Sequence, residues 1–211
     1  VMGILNVTPD SFSDGGQHLR SDDAVGAALQ MQADGAAIID IGGESTRPYS
    51  EPVTANDELD RVLPVVKALR DELTIPISID TSKAEVARAA IEAGAQIIND
   101  VTGLEGDPEM AALARERAVG VCVMHMRGSP QAMQDDPHYD NVVEQIYQYL
   151  VQRRDHCLEL GIPLERICLD PGIGFGKTHE HNIELLGATS RFAQIGCPLL
   201  IGHSRKGFIA K

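Results

Sequence analysis

The chain has 211 residues, with 31 acidic against 18 basic side chains (net charge -13), 43% hydrophobic and 23% charged residues. Such a composition buries a sizeable core and excludes disordered and collagen-like chains. With no Lys/Arg block it supplies neither a counterion-release surface for nucleic acid nor a polybasic patch for a membrane.

The elements begin at once, because VMGILNV (residues 1–7) is a strand-like run with no Met or turn before it, so an upstream stretch is expected to be missing. Six more short runs rich in Val and Ile follow: AAIIDIG, PISID, QIINDV, GVCVMH, ICLDPG and PLLIGHS, for seven strands in all. Their continuous apolar character predicts strands buried on both faces of a parallel sheet covered by helices. A helix over 56–73 should kink at Pro64. Ser82 with Glu85 reads as a capping box for SKAEVARAAIEAG, stopped by Gly94. Asp107 with Pro108 starts EMAALARERAVG, with Pro at the first helical position. A longer helix runs from Asn141 to Leu160, ended by Gly161.

Cys122, Cys157, Cys168 and Cys197 form no C-x-x-C pair, and three of them lie inside or beside apolar runs. They read as reduced core residues of a cytoplasmic protein. No apolar stretch reaches the ~20 residues of a membrane span, and the N-terminus has no signal-peptide pattern.

Alternating strands and helices leave an open doubly wound sheet or a closed barrel. Nearly every strand ends in a polar residue: Asn6, Asp40, Asp80, Asn99 with Asp100, His125, Asp170 and Ser204-Arg205-Lys206. A barrel gathers all such ends on one face, whereas a doubly wound sheet gathers only those at its switch point and favours a G-x-G-x-x-G turn after the first strand. The first strand here leads into TPDSFSDGG. The reading is an α/β fold, a (β/α)8 TIM barrel truncated after the seventh strand, with residues 1–211 as one domain lacking the eighth strand and final helices.

Asp80 and Asp170 with Asn99 are acceptors suited to a flat, nitrogen-rich heterocycle, a pterin or purine. Any one alone reads as a helix cap at even odds. Thr46, Arg47, Ser204, Arg205 and Lys206 cluster on the strand tips GGESTRP and HSRKGF, which in an acidic protein points to an anionic substrate group. Asn6 can serve a hard cation such as Mg2+, and the loop after it suits a mobile lid. His179 and His181 read as a polar surface loop, His125 with Met126 as pocket lining or satisfied core, and His18, His138 and His156 as solvated. DPGIGFG lacks the endings of the nucleotide loops.

Together MGILNVTPDSFSDGG, IDIGGESTRP, SIDTSK, IINDV, CVMHM, LDPGIGFGK and HSRKGF resemble the dihydropteroate synthase family in order and spacing, over essentially the whole chain. The resemblance implies a (β/α)8 barrel that joins hydroxymethyl-dihydropterin diphosphate to para-aminobenzoate with Mg2+ present and releases pyrophosphate. It implies that Asp80, Asn99, Asp170 and Lys206 hold the pterin, with Met124 and Phe175 lining the slot. Asn6 would meet the diphosphate through Mg2+, with Thr46 and Arg47; para-aminobenzoate would lie among Phe12, Thr46, Pro48, Lys206 and Ser204, where sulfonamides also resemble it. The family's final Arg-x-His motif is missing, and its homodimer, built on late helices, is doubtful for this chain. A related pterin-binding methyltransferase domain, or an inactive pterin-binding remnant, are the alternatives. The STRP and SRK tips favour the synthase, because a methyl donor needs no diphosphate clamp.

Overall fold

The computed structural model describes residues 1–8, 17–46, 49–128, 133–135, 137–204 and 206, and of residues 17–21 the backbone alone. The chain divides into two compact units, Val1–Ser45 with Glu51–Asn99 and Thr46–Ser50 with Asp100–Lys211.

The first unit runs β1 (Met2–Asn6), α1 (Gln17–Ala33), β2 (Ile38–Gly42), α2 (Ala55–Leu69), β3 (Ile77–Asp80), α3 (Ala84–Ala93) and β4 (Ile97–Asp100). Each strand pairs in parallel with the next in chain order. Side chains alternate between faces along a strand, and register turns that alternation into rows across the sheet. Leu5, Ile41, Ile79 and Ile98 form one row, and Ile39 and Ile77 stand in the row before it. All six are buried. Helix α1 packs on β1 and β2, and α2 packs on β2 and against α3. The other face differs from the expectation of strands apolar on both sides. Its rows read Ile4, Asp40, Ser78, Ile97 and then Asn6, Gly42, Asp80, Asn99, so polar groups are interleaved with the isoleucines.

The second unit holds α4 (Met110–Arg117), β5 (Gly120–Met124), α5 (Val142–Glu159), a 3-10 turn at Leu164–Arg166, β6 (Ile167–Asp170), α6 (His179–Gly187) and α7 (Thr189–Ala193). Strands β5 and β6 pair in parallel, and α5 packs on both and on α6. The expected seventh strand is reduced to one parallel bridge, Leu169 with Leu199, held by Leu169 N–H to Pro198 O and Leu200 N–H to Leu169 O. Residues 200–203 carry no regular structure, and Ser204 lies in a turn.

Local signals set some helix ends and are overridden at others. Asn141 caps α5 by accepting from Glu144 N–H at 2.9 Å, and Gly161 follows the helix with φ 90°. Gly94 ends α3. The Ser82 capping box does not form: Lys83 is the cap residue of α3, without a side-chain cap bond, and Thr81 Oγ1 takes the Lys83 N–H at 3.2 Å. Helix α4 starts at Met110, two residues later than Pro108 predicted, and Asp107 instead closes a turn by accepting from Glu109 N–H at 3.0 Å. Helix α2 continues past Pro64 to Leu69. His179 and His181 open α6 in place of the predicted loop, and Thr178 and His181 form a reciprocal capping box.

Among the described residues no helix is long and apolar enough to cross a membrane. The thiols of Cys122, Cys157 and Cys197 are buried, Cys168 is half-buried, and none of the four forms a disulfide. Cys122 faces Cys168 in register, and burial pushes the Cys157 thiol up to about 11.

Replacing Asn141 by Ala leaves the Glu144 N–H without its cap and should lower unfolding free energy by about 1 kcal/mol, read from the midpoint of urea denaturation at unchanged slope.

Candidate functional site

In the first unit the parallel register aligns the last residues of four strands: Asn6 opposite Gly42, Gly42 opposite Asp80, and Asp80 opposite Asn99. Gly42 keeps this row open. A Cβ there would stand 3.3 Å from Asp80 Oδ2 and 3.7 Å from Asn6 Oδ1, so the two oxygens flank a space that only glycine leaves. Asn6 is exposed, while Asp80 and Asn99 are half-buried, a mixture of reach and shelter that suits a ligand. Below Asn99, Asp40 Oδ2 accepts from Asn99 Nδ2 at 3.0 Å. Asp40 is buried, and burial raises its pKa against the opposing effects of Ser78 and Asn99.

An ion cluster of half-buried Lys83 and Glu44 with buried Glu58 ties down the segment that leaves β2. Lys83 Nζ donates to Glu44 Oε2 at 2.5 Å and to Glu58 Oε2 at 2.7 Å. Glu44 Oε1 accepts from Val53 N–H at 3.0 Å, and Arg61 Nη1 donates to Gly43 O at 2.7 Å. Residues 43, 44 and 53 are thereby fixed, so both ends of the stretch carrying Thr46 are anchored. Burial works against the Lys83 ammonium, but the bonds and charges of Glu44 and Glu58 outweigh it and its pKa is raised. Glu58 is 0% exposed and its second oxygen has no hydrogen bond, so it depends on Lys83 as its counter-charge.

The second unit carries its own cluster at the end of β6. Asp170 faces Met124 in register, is buried, and accepts from Gly172 N–H at 2.7 Å. Burial pushes its carboxyl up to about 6, partly offset by that bond and by Lys206 and Lys177. A Cβ on Gly202 would lie 3.9 Å from both Asp170 Oδ2 and Lys206 Nζ. The Lys206 ammonium stands 4.4 Å from the centroid of the Phe175 ring and donates to Ile173 O; burial pulls its pKa down to about 8. A carboxylate, an ammonium and a flat ring side by side make a slot for a planar, hydrogen-bonding molecule.

Behind this slot lies Lys177, 3% exposed, whose Nζ contacts His125 Nδ1 at 3.1 Å and donates to His125 O at 3.2 Å and Phe175 O at 2.7 Å. Burial lowers Lys177 to about 7 and His125 to about 3, the latter helped by the charge of Lys177. A neutral His125 ring accepts from the lysine, with Tyr149 edge-on at 4.8 Å. His125 is therefore a satisfied buried histidine that braces the Phe175 turn. Gly172 is confined by the same group: with φ 69°, its Cβ would fall 1.9 Å from His125 O.

Of the residues singled out in the sequence, Asn6, Asp80 and Asn99 come together in the first unit, and Met124, Asp170, Phe175 and Lys206 in the second. Thr46 is half-buried and Ser204 exposed. Phe12, Arg47, Pro48 and Arg205 lie outside the described residues, as does the loop 9–16. Asp40 as the support of Asn99, the Lys83 cluster and Lys177 went unrecognised. All lie inside the quoted motifs IDIGGESTRP, SIDTSK and LDPGIGFGK, but a partner 25 to 59 residues away leaves no local signal.

Comparison with known proteins follows the same lines. The family profile described as pterin binding enzyme matches residues 2–211. A dihydropteroate synthase of Synechocystis is 49% identical over all 211 residues, which span 73% of that protein. The structure of Xanthomonas albilineans dihydropteroate synthase with 4-aminobenzoic acid superposes with a TM-score of 0.92 at 45% identity, covering 99% of this chain and 74% of that one. The same enzyme in complex with 7,8-dihydropteroate gives 0.88 at 42% identity, again covering 99% of this chain and 74% of that one. The chain belongs to the pterin-binding enzymes and, within them, to the dihydropteroate synthase family, whose (β/α)8 barrel is the fold class of these strand–helix repeats.

Two expectations follow from the buried charges. Lys83→Met strands Glu58 without a counter-charge and should cost about 3 kcal/mol of stability, whereas adding Glu58→Met should recover most of it in equilibrium denaturation. His125 is neutral in both folded and unfolded chains above its ordinary value. As pH falls from there toward about 3, only the unfolded chain takes up the proton, so stability drops over that window. His125→Gln should flatten this fall, and the ring resonances of His125 should hold still between about pH 8 and 5.

Proposed function

We propose that this protein catalyses the dihydropteroate synthase reaction: the arylamine nitrogen of para-aminobenzoate bonds to the pterin methylene carbon, the C–O bond to diphosphate breaks, and pyrophosphate leaves with the electron pair. The amine proton passes to solvent. Identity of 49% to a dihydropteroate synthase over all 211 residues carries this reading, and the chemistry of the strand ends supports it.

Asp80, Asn99 and Asp170 supply acceptors for the N–H groups of the pterin, and Phe175 and Met124 supply flat apolar contact. Lys206 adds a donor beside Asp170 and Phe175. As the C–O bond lengthens, positive charge grows on the pterin methylene, where carboxylates oppose it, and negative charge grows on the diphosphate, where Arg47 and Thr46 oppose that. The arylamine is a free base at neutral pH, so its orientation among Phe12, Thr46, Pro48, Ser204 and Lys206 does more than a general base would. C–O cleavage leads amine attack, and no covalent enzyme intermediate forms.

Among the described residues no group of three His, Cys, Asp or Glu side chains is placed to hold a metal ion. The exposed Asn6 oxygen beside the space over Gly42 fits Mg2+, which keeps most of its waters and takes its other ligands from substrate phosphates. Bound there, Mg2+ would neutralise charge on the departing diphosphate. The partners are small molecules, with no nucleic acid or membrane, and the setting is cytoplasmic. A methyltransferase reading gains no support from the relatives.

The test is pyrophosphate release with Mg2+ and hydroxymethyl-dihydropterin diphosphate, with and without para-aminobenzoate. Amine-dependent turnover is expected; release unchanged by the amine would refute the reading. Arg47→Ala should slow turnover by roughly a hundredfold. Because burial pushes the Asp170 carboxyl up to about 6, pterin affinity should rise as pH passes upward through that value and lose this dependence in Asp170→Asn.

A further inference from the structure

We propose that Asp40 is a positioning residue that fixes which edge of the Asn99 amide is offered to the substrate. The inference rests on the reading of Asn99 as a pterin contact and concerns how that contact is given its polarity.

Asp40 belongs to the row Ile4, Asp40, Ser78, Ile97, one step behind the row that ends in Asn99. An interior built only for packing would continue this row with apolar side chains. Instead it holds a carboxyl group 2% exposed, next to the buried hydroxyl of Ser78, which favours the ionised carboxylate. Taking an acidic group out of water costs stability, and burial outweighs what its partners return, since the Asp40 pKa stays raised. The one well-formed bond it makes with a side chain at the strand ends is to Asn99 Nδ2, at 3.0 Å.

The consequence is chemical. A primary amide can turn about its last bond and exchange its oxygen for its nitrogen at little cost. Behind Asn99 stands an acceptor, so the nitrogen turns back toward β2, and the oxygen with the second N–H is left for the ligand. Asn99 then presents one acceptor and one donor in a set order, which a heterocycle edge carrying an N–H next to a ring nitrogen can match. Without Asp40 the amide would populate both orientations, and binding would have to select one of them.

The experiment measures the affinity of 6-hydroxymethylpterin by calorimetry for this chain and for Asp40→Leu, Asp40→Asn and Asn99→Ala, with the melting temperature of each. Asp40→Leu removes the acceptor and should weaken binding about tenfold while leaving the melting temperature unchanged or higher. Asp40→Asn can still accept through its amide oxygen, with its NH2 turned to Ser78, and should stay within about threefold of the parent. Independently of any ligand, the side-chain amide protons of Asn99 should exchange slowly with solvent in the parent and in Asp40→Asn, and fast in Asp40→Leu. Parent-like affinity in Asp40→Leu, equal loss in Asp40→Asn, or a fall in melting temperature that accounts for the lost binding would each overturn the proposal. Parent-like affinity in Asn99→Ala would instead remove the pterin contact beneath it.

Discussion

A one-residue slip of any strand in a parallel sheet moves its whole set of side chains to the other face. In the first unit that slip is prevented by isoleucine and leucine rows that must stay under α1 and α2: shifting β2 by one residue would bury Asp40 among helices and turn Ile39 and Ile41 away from them. The same register that satisfies the hydrophobic rows sets Asn6, Gly42, Asp80 and Asn99 side by side at the strand ends. The oxygens of the candidate site are thus positioned by a core that they do not belong to. Each large apolar side chain in those rows stabilises the fold by about 1.5–3 kcal/mol on burial, enough to hold the polar row in place.

Charged groups buried near these strand ends act mainly through their neighbours. Lys83 joins Glu44 to Glu58 and so fixes the two ends of the stretch carrying Thr46. Lys177 bonds to the backbone of His125 and Phe175 and so shapes the turn under the Phe175 ring. Asp40 holds the amide of Asn99. In each case a group that water would have solvated is taken into the interior and bonded to the support of a residue that faces a ligand. Such bonds lose strength steeply with misalignment and are costly to leave unmade, which makes them better at setting an orientation than at adding net stability.

The electrostatics of the second unit follow from burial more than from pairing. Asp170, Lys177 and Lys206 are all displaced toward their neutral forms, to about 6, 7 and 8, although each carries an opposite charge nearby. Their values are close enough to neutrality for a ligand to change which of them is charged, because a new donor or anion alters the balance between desolvation and attraction. This unit also carries the flat ring at Phe175, so charge response and shape selection share one location.

Much of this was determined by the sequence alone. Short Val/Ile runs gave six strands, their direction and the tips Asn6, Asp80, Asn99 with Asp100, and Asp170, because strand periodicity and helix-length spacers are local properties of the chain; Asp40, read as a tip, stands in mid-strand, and β5 ends one residue before His125. Asn141 and Gly161 were legible for the same reason: the cap and the stop act within a turn of themselves. The tertiary structure decided what local rules could not. Ser82 yields the cap position because Lys83 is held by carboxylates 25 and 39 residues away. The run 198–204 stays a single bridge because a strand exists only where a neighbour supplies consecutive ladder bonds. Asp40 supports an amide 59 residues distant, and register, a property of the whole sheet, is what brings those two side chains within hydrogen-bond reach.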